Sequence, residues 1–235
     1  SLSLSGKCVP GTHCIMNYAK DKKGNRIGAD CVSPKYGKKK CEVQSYLINH
    51  KNTWIGSHPK IGEQIASHLL HPGSTYEPIS KSKILLCTPE VAHVAQTDMR
   101  VDFLLQHEDH SFTMVEVKTV VDSEDDLSPD SNLKVKGAIF PFGKRTQRFE
   151  GQKVVSERAI RHVSELIQVS TKQKKDMKYP ELNACVLFIV VRGDCNFFKP
   201  HQACPVFSQK LKEAKESGVV LIAHQFDWNV DNSHV

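Results

Sequence analysis

Hydrophobic positions along this chain follow two periods. Over Arg100-Val101-Asp102-Phe103-Leu104-Leu105 and Met114-Val115-Glu116-Val117-Lys118-Thr119-Val120-Val121 the apolar residues run nearly unbroken, the pattern of strands covered on both sides. His107-Glu108-Asp109-His110-Ser111 between them is polar and of hairpin length. A hairpin centred on Asp109 places residues whose numbers sum to 218 opposite each other, so Asp102 faces Glu116. Side chains alternate across a strand, which puts Glu116 and Lys118 on one face and Val115, Val117 and Thr119 on the other. Lys83 to Cys87 predicts a preceding core strand, Ala184 to Val191 a later one, and Gly218 to Ala223 the last.

Helical spacing governs three other stretches. From Pro59 to Leu70 the residues Ile61, Ile65 and Leu69 form a stripe, with Ser57 as the expected cap and Pro59 in the first turn. From Val154 to Gln168 the apolar face is Val155, Ala159, Val163, Leu166 and Ile167. Arg158, Arg161, His162 and Glu165 occupy much of the remaining surface, where a solvated face explains them as well as a site does. Pro205 to Lys215 predicts the third helix.

This order predicts an α/β fold, an α+β mixed sheet with helices packed on its faces. Two regions fall outside it. Asp122 to Gln152 begins acidic and turns basic, which predicts a mobile, substrate-facing loop or disorder of its acidic half. Residues 1–50 are rich in Cys, Lys and Gly, with short strand-like pieces such as Cys41 to Ile48, and predict a small β module ahead of a main domain over 51–235.

The 235 residues, 39% hydrophobic and 25% charged, suffice for a real core. No apolar run approaches the roughly 20 residues of a bilayer span, which predicts no membrane partner. The net charge of +6 suits a polyanion partner without requiring one. Basic residues concentrate at Lys38-Lys39-Lys40, at Lys144, Arg145 and Arg148, and from Lys172 to Lys178, the last reading as solvated surface. Cys8, Cys14, Cys31 and Cys41 with His13 allow a zinc site, but no C-x-x-C pair occurs, and reduced thiols in an intracellular setting are the expectation. Cytosolic, nuclear and organellar compartments all fit. The start at Ser1-Leu2-Ser3 rather than Met predicts a trimmed or processed end, compatible with removal of a targeting segment.

Candidate chemistry sits on the hairpin. Two carboxylates opposed across a ladder repel unless a cation lies between them, and a hard divalent ion or the Lys118 ammonium can play that part. A metal site and a structural ion pair both satisfy the pattern. Glu63, off the stripe of the first helix, is a further candidate.

At these residues the chain resembles the bacterial sugar fermentation stimulation protein family, a branch of the PD-(D/E)-x-K nuclease superfamily. The resemblance runs from Arg100-Val101-Asp102-Phe103 through Val115-Glu116-Val117-Lys118-Thr119, Ser156-Glu157-Arg158-Ala159, Arg161-His162 and Val186 to Arg192 with Asp194, and covers roughly residues 43–228. It implies a restriction-endonuclease-like core with an OB-like N-terminal module. By the same resemblance Asp102 and Glu116 are metal-binding carboxylates, Lys118 is the catalytic lysine, and Mg²⁺ or Mn²⁺ is the cofactor, with the Val117 carbonyl as a further ligand. Glu63 and His162 are additional site residues. The loop after Phe140-Pro141 departs from the family pattern by its basic insert, Gly143 to Gln152.

Two functional readings follow. One is a metal-dependent nuclease acting on DNA, RNA being a second possible target, with Lys38, Lys39, Lys40, Arg100, Lys144, Arg145, Arg148, Arg158 and Arg161 on phosphates. The other is a non-catalytic DNA-binding regulator that keeps the nuclease fold. The sequence leaves oligomeric state open, a homodimer included.

Overall fold

The computed structural model describes residues 4, 6–21, 23–127 and 134–230. In chain order its first elements are β1 (Cys14–Tyr18), β2 (Val43–His50), β3 (Thr53–Gly56), α1 (Ile61–Leu69), β4 (Ile84–Ala92), β5 (Arg100–His107) and β6 (Phe112–Val120). There follow β7 (Asp122–Leu127), β8 (Lys134–Phe140), β9 (Gln147–Phe149), β10 (Gln152–Val154) and α2 (Glu157–Ser170). The chain continues through β11 (Leu182–Val190), β12 (Phe197–Pro200), α3 (Pro205–Glu216) and β13 (Val220–Gln225).

The framework is a five-stranded sheet in the order β13-β11-β6-β5-β4. β5 and β6 pair antiparallel from Phe103↔Val115 to Gln106↔Phe112, the register expected for a turn centred on Asp109. β6 then pairs parallel with β11, and β11 parallel with β13. Parallel neighbours need long crossovers, and α2 and α3 supply them. The sheet is therefore mixed, as expected, and its middle strands are buried on both faces. Met114, Val120, Val186 and Phe188 pack under α2 and α3 with Ile160, Val163, Leu166, Phe207 and Leu211. Val115, Val117, Leu187 and Ile189 pack on the other side with Ile61 and Ala66 of α1 and with Leu47, Ile48 and Ile55.

Three expectations need correction. Ser57 does not cap α1: its hydroxyl lies 2.6 Å from that of Ser45, and the helix starts after Lys60 without a side-chain cap. Asp122 to Gln152 is not a loop. β7 and β8 join the distant β12 in a three-stranded sheet, and β9 and β10 form a hairpin, while residues 128–133 lie outside the described part. The charges that suggested a loop are what tie these strands together, through Lys199 on Glu124 and Asp126, Lys136 on Asp194 and Lys7 on Asp122. Finally, the N-terminal module is an open sheet in the order β1-β2-β3, and no closed barrel forms among the described residues. The β2–β3 hairpin straddles residue 50, and a bridge from Ile55 to Arg192 joins it to the main sheet.

Helix α1 reaches β6 through a glycine. A Cβ on Gly62 would overlap the Thr119 hydroxyl and stand 3.1 Å from the Thr119 Cβ. We therefore expect Gly62→Ala to lower unfolding free energy by about 1–3 kcal/mol. Thr119→Ala in the same chain should return part of that loss, a non-additivity that a double-mutant cycle in urea measures.

Candidate functional site

Beyond Phe103↔Val115 the strands of the hairpin part. β6 keeps its ladder with β11 to Val120 and β5 keeps its ladder with β4 to Arg100, so a gap opens between β5 and β6. Asp102 and Glu116 would be the next facing pair. Asp102 fills the gap with its carboxylate, whose Oδ2 accepts a 2.6 Å hydrogen bond from the Val117 N–H. The lost ladder bond is thus replaced by a side chain.

Glu116 lies on the α2 face and is 2% exposed. Its Oε1 accepts from His162 Nδ1 at 2.6 Å and from the Lys118 ammonium. Its Oε2 is buried and has no hydrogen-bond partner among the described residues. Buried polar atoms are almost always satisfied, so this oxygen marks a place where a ligand is expected. Lys118 and Asp102 retain partial exposure, which leaves the cluster open on one side.

The electrostatics agree. Burial, followed by the charge of Glu116, pushes the Asp102 carboxyl up to about 7, against the pull of the Val117 N–H and Lys118, with Glu63 adding to the rise. Burial also disfavours ionised Glu116, but Lys118 and His162 outweigh it and hold this carboxyl below its ordinary value. One acid is thus fixed as an anion while its neighbour is poised near neutrality.

The donor set fits a hard divalent cation. Two carboxylates that resist joint ionisation and one unsatisfied oxygen are what such an ion relieves, with water or a phosphate completing its shell. Among the described residues no three His, Cys, Asp or Glu side chains converge into a full cage. The N-terminal cysteines are therefore not gathered as a zinc centre here: Cys8 and Cys41 are exposed, Cys14 and Cys31 half-buried, and all four are free thiols. Val117 enters the site through its amide nitrogen.

The structure brings Asp102, Glu116, Lys118 and His162 together. Arg158 joins them, its Nε donating to His162 Nε2 at 3.3 Å. Arg161 lies on the same helix and pairs with Glu157. β9, which carries Arg148, borders the start of α2, where Gln147 accepts from the Glu157 N–H. Arg145 instead donates to the Ala203 carbonyl at 2.5 Å, and Lys144 is exposed nearby on the same connection. Arg100 is exposed at the start of β5 and bonded to Glu90. Lys38, Lys39 and Lys40 lie in the segment ahead of β2, where Lys39 pairs with Asp30. Glu63, in the first turn of α1, faces Asp102 only as a remote charge. What the periodicity left unresolved is the part played by His162. The available signal was the four-residue spacing from Arg158, which stacks the two on one side of a helix.

Comparison with known proteins finds relatives of this chain. A family model described as the sugar fermentation stimulation protein RE domain matches residues 153–232. A sugar fermentation stimulation protein homolog of Microcystis aeruginosa is 25% identical over 190 residues, covering 80% of this chain and 66% of that protein. One of Syntrophotalea carbinolica is 28% identical over 189 residues, with coverages of 80% and 66%. The chain thus spans just under two thirds of the length of these relatives. The solved structure of Pyrococcus furiosus SfsA in complex with Ca²⁺ shares the fold, at a TM-score of 0.55 and 22% identity, covering 82% of this chain and 68% of that one.

The raised Asp102 sets a pH signature. A carboxyl whose folded-state value lies near 7 costs no stability below about 4, where folded and unfolded chains are both protonated. It costs progressively more as pH rises to 7 and the full amount above. Asp102→Asn, which keeps the acceptor for the Val117 N–H, is expected to be more stable than the parent by about 2–4 kcal/mol at pH 8. The difference should fade as pH falls from 7 to 4, as followed by urea unfolding in chelator.

Proposed function

We propose that this chain, a member of the sugar fermentation stimulation protein family, is a nucleic-acid-binding protein with a divalent-cation-dependent phosphodiesterase site at Asp102, Glu116 and Lys118. The unpartnered, buried Glu116 Oε2 carries this reading. A purely structural ion pair would leave no oxygen waiting. The order Asp102, then Glu116-Val117-Lys118 at a splayed hairpin follows the PD-(D/E)-x-K pattern. The Ca²⁺ complex of the Pyrococcus relative supports an oxygen-ligand cation, and Mg²⁺ or Mn²⁺ suits the same donors.

Asp102 and Glu116 would hold the cation, with the Val117 carbonyl as a further ligand. When bound, the cation acidifies a water and screens the phosphate charge. The chain supplies the rest. Glu116 is kept anionic by Lys118 and His162, so it is ready to ligate at neutral pH. Asp102, raised to about 7 by burial and by Glu116, would be the second carboxylate to hold the cation. Lys118 presents an ammonium on the same strand face, where it orients the attacking water and stabilises charge developing on phosphorus. Arg158, Arg161 and Arg148, on or beside the start of α2, hold the polynucleotide backbone and confer affinity rather than sequence selectivity. DNA is the favoured target.

The test is incubation of single- and double-stranded DNA and RNA with Mg²⁺ or Mn²⁺, beside Lys118→Ala and Glu116→Ala. Metal-dependent cutting is expected for the parent, falling by about a hundred-fold or more in each variant. Binding without cutting, indifferent to both substitutions, would instead establish the non-catalytic regulator. Binding should weaken steeply between low and moderate salt.

A further inference from the structure

We infer that Arg158 and His162 form a relay coupling a nucleic-acid phosphate to the orientation of the Glu116 carboxylate, with His162 a positioning residue for the cation site rather than a ligand in it. This rests on the reading of Glu116 as a cation ligand. The chain of reasoning starts at Arg158, because a guanidinium nitrogen can only donate. Its Nε faces His162 Nε2 at 3.3 Å, so that ring nitrogen accepts. A neutral imidazole has one donor, which must then be Nδ1, and Nδ1 points at Glu116 Oε1 from 2.6 Å. The tautomer is set from outside the site by the arginine.

Three consequences follow. Oε1 is held by two donors, His162 and Lys118, so the carboxylate cannot turn and Oε2 remains the free oxygen. The His162 ring is itself buried, so its contact with Oε1 is shielded from solvent. Arg158, which is exposed, spends one of its five donors inward, and its terminal fork has no other protein partner among the described residues. That fork matches a phosphate. A phosphate there immobilises a side chain whose inward contact is long, tightens that contact, and so strengthens the hold on Glu116. Linkage then requires that the polynucleotide raise cation affinity and that the cation raise polynucleotide affinity.

The test measures binding, not cleavage, by calorimetric titration of Ca²⁺ into the full chain with and without a saturating short DNA oligonucleotide. The parent should bind Ca²⁺ more tightly with the oligonucleotide present. His162→Leu should weaken Ca²⁺ binding by about ten-fold or more, in the range known for partners that orient metal ligands. His162→Asn retains an N–H near the Nδ1 position but loses the acceptor for Arg158. It should keep Ca²⁺ affinity within about three-fold of the parent yet lose the gain from the oligonucleotide. Arg158→Met should lose both that gain and part of the oligonucleotide affinity, whereas Arg148→Met should lose oligonucleotide affinity alone. Parent-like Ca²⁺ binding by His162→Leu, or an undiminished gain in Arg158→Met, overturns the relay and leaves the cation site standing. Absence of Ca²⁺ binding in every protein overturns the cation site and the relay with it. Should His162→Leu fail to fold, Arg158→Met and His162→Asn decide by the same gain.

Discussion

A carboxylate buried in the middle of a sheet is the constraint around which this molecule is arranged. Stripping Glu116 of water costs several kcal/mol unless charge and hydrogen bonds replace the solvent. The structure replaces it from two directions, with Lys118 from two residues along the same strand and His162 from the helix packed above. Both demands shape the fold. The strand must carry acid and base two apart so that they share a face. The helix must also approach closely enough to place an imidazole on the carboxylate, which the small Ala159 and the branched Ile160 and Val163 around His162 allow by packing flush on the sheet. Glu116 stays ionised because Lys118, and then His162 from α2, offset its burial, so the site and the core are coupled.

The second acid is the unbalanced member of the cluster. Asp102 is buried beside an anion that has already claimed the nearest cation, and burial first, with the charge of Glu116 added to it, drives its carboxyl up to about 7. Strand geometry provides the room. Had β5 and β6 stayed paired for one more residue, Asp102 and Glu116 would have been pressed together across a closed ladder. Instead β5 follows β4 and β6 follows β11, and the Val117 N–H released by the split is taken by Asp102.

Much of this was legible in the chain because it is local. The five-residue turn around Asp109 fixes the register by itself, and a strand's period of two then assigns Glu116 and Lys118 to one face. The longest helix announced itself through Val163 and Leu166. What could not be read was non-local. β8 pairs with β12 across some sixty residues of sequence, and its alternating Lys134, Val135 and Lys136 look like loop chemistry until Asp194 and the acidic β7 are set beside them. His162 is the same kind of case. Periodicity shows that it shares a helix side with Arg158, but only the tertiary fold shows that this side is turned onto Glu116 and buried.

Charge arithmetic favours a phosphodiester over other ligands for such a cluster. With both carboxyls ionised, Asp102 and Glu116 bring two negative charges and Lys118 one positive, and His162 adds a hydrogen bond to Glu116. The cluster is left one charge negative in a setting where screening by water is poor. A divalent cation carries it one charge past neutrality, and a single ionised diester oxygen returns it to zero. A monoester dianion overshoots, and a neutral ester leaves the excess in place. The exposed fork of Arg158 stands just outside this balance, and in the proposed function it meets the next phosphate of a polymer rather than altering the count within. An isolated phosphate could fill the centre but would leave that fork unused, which is why the ligand proposed above is a chain of diesters.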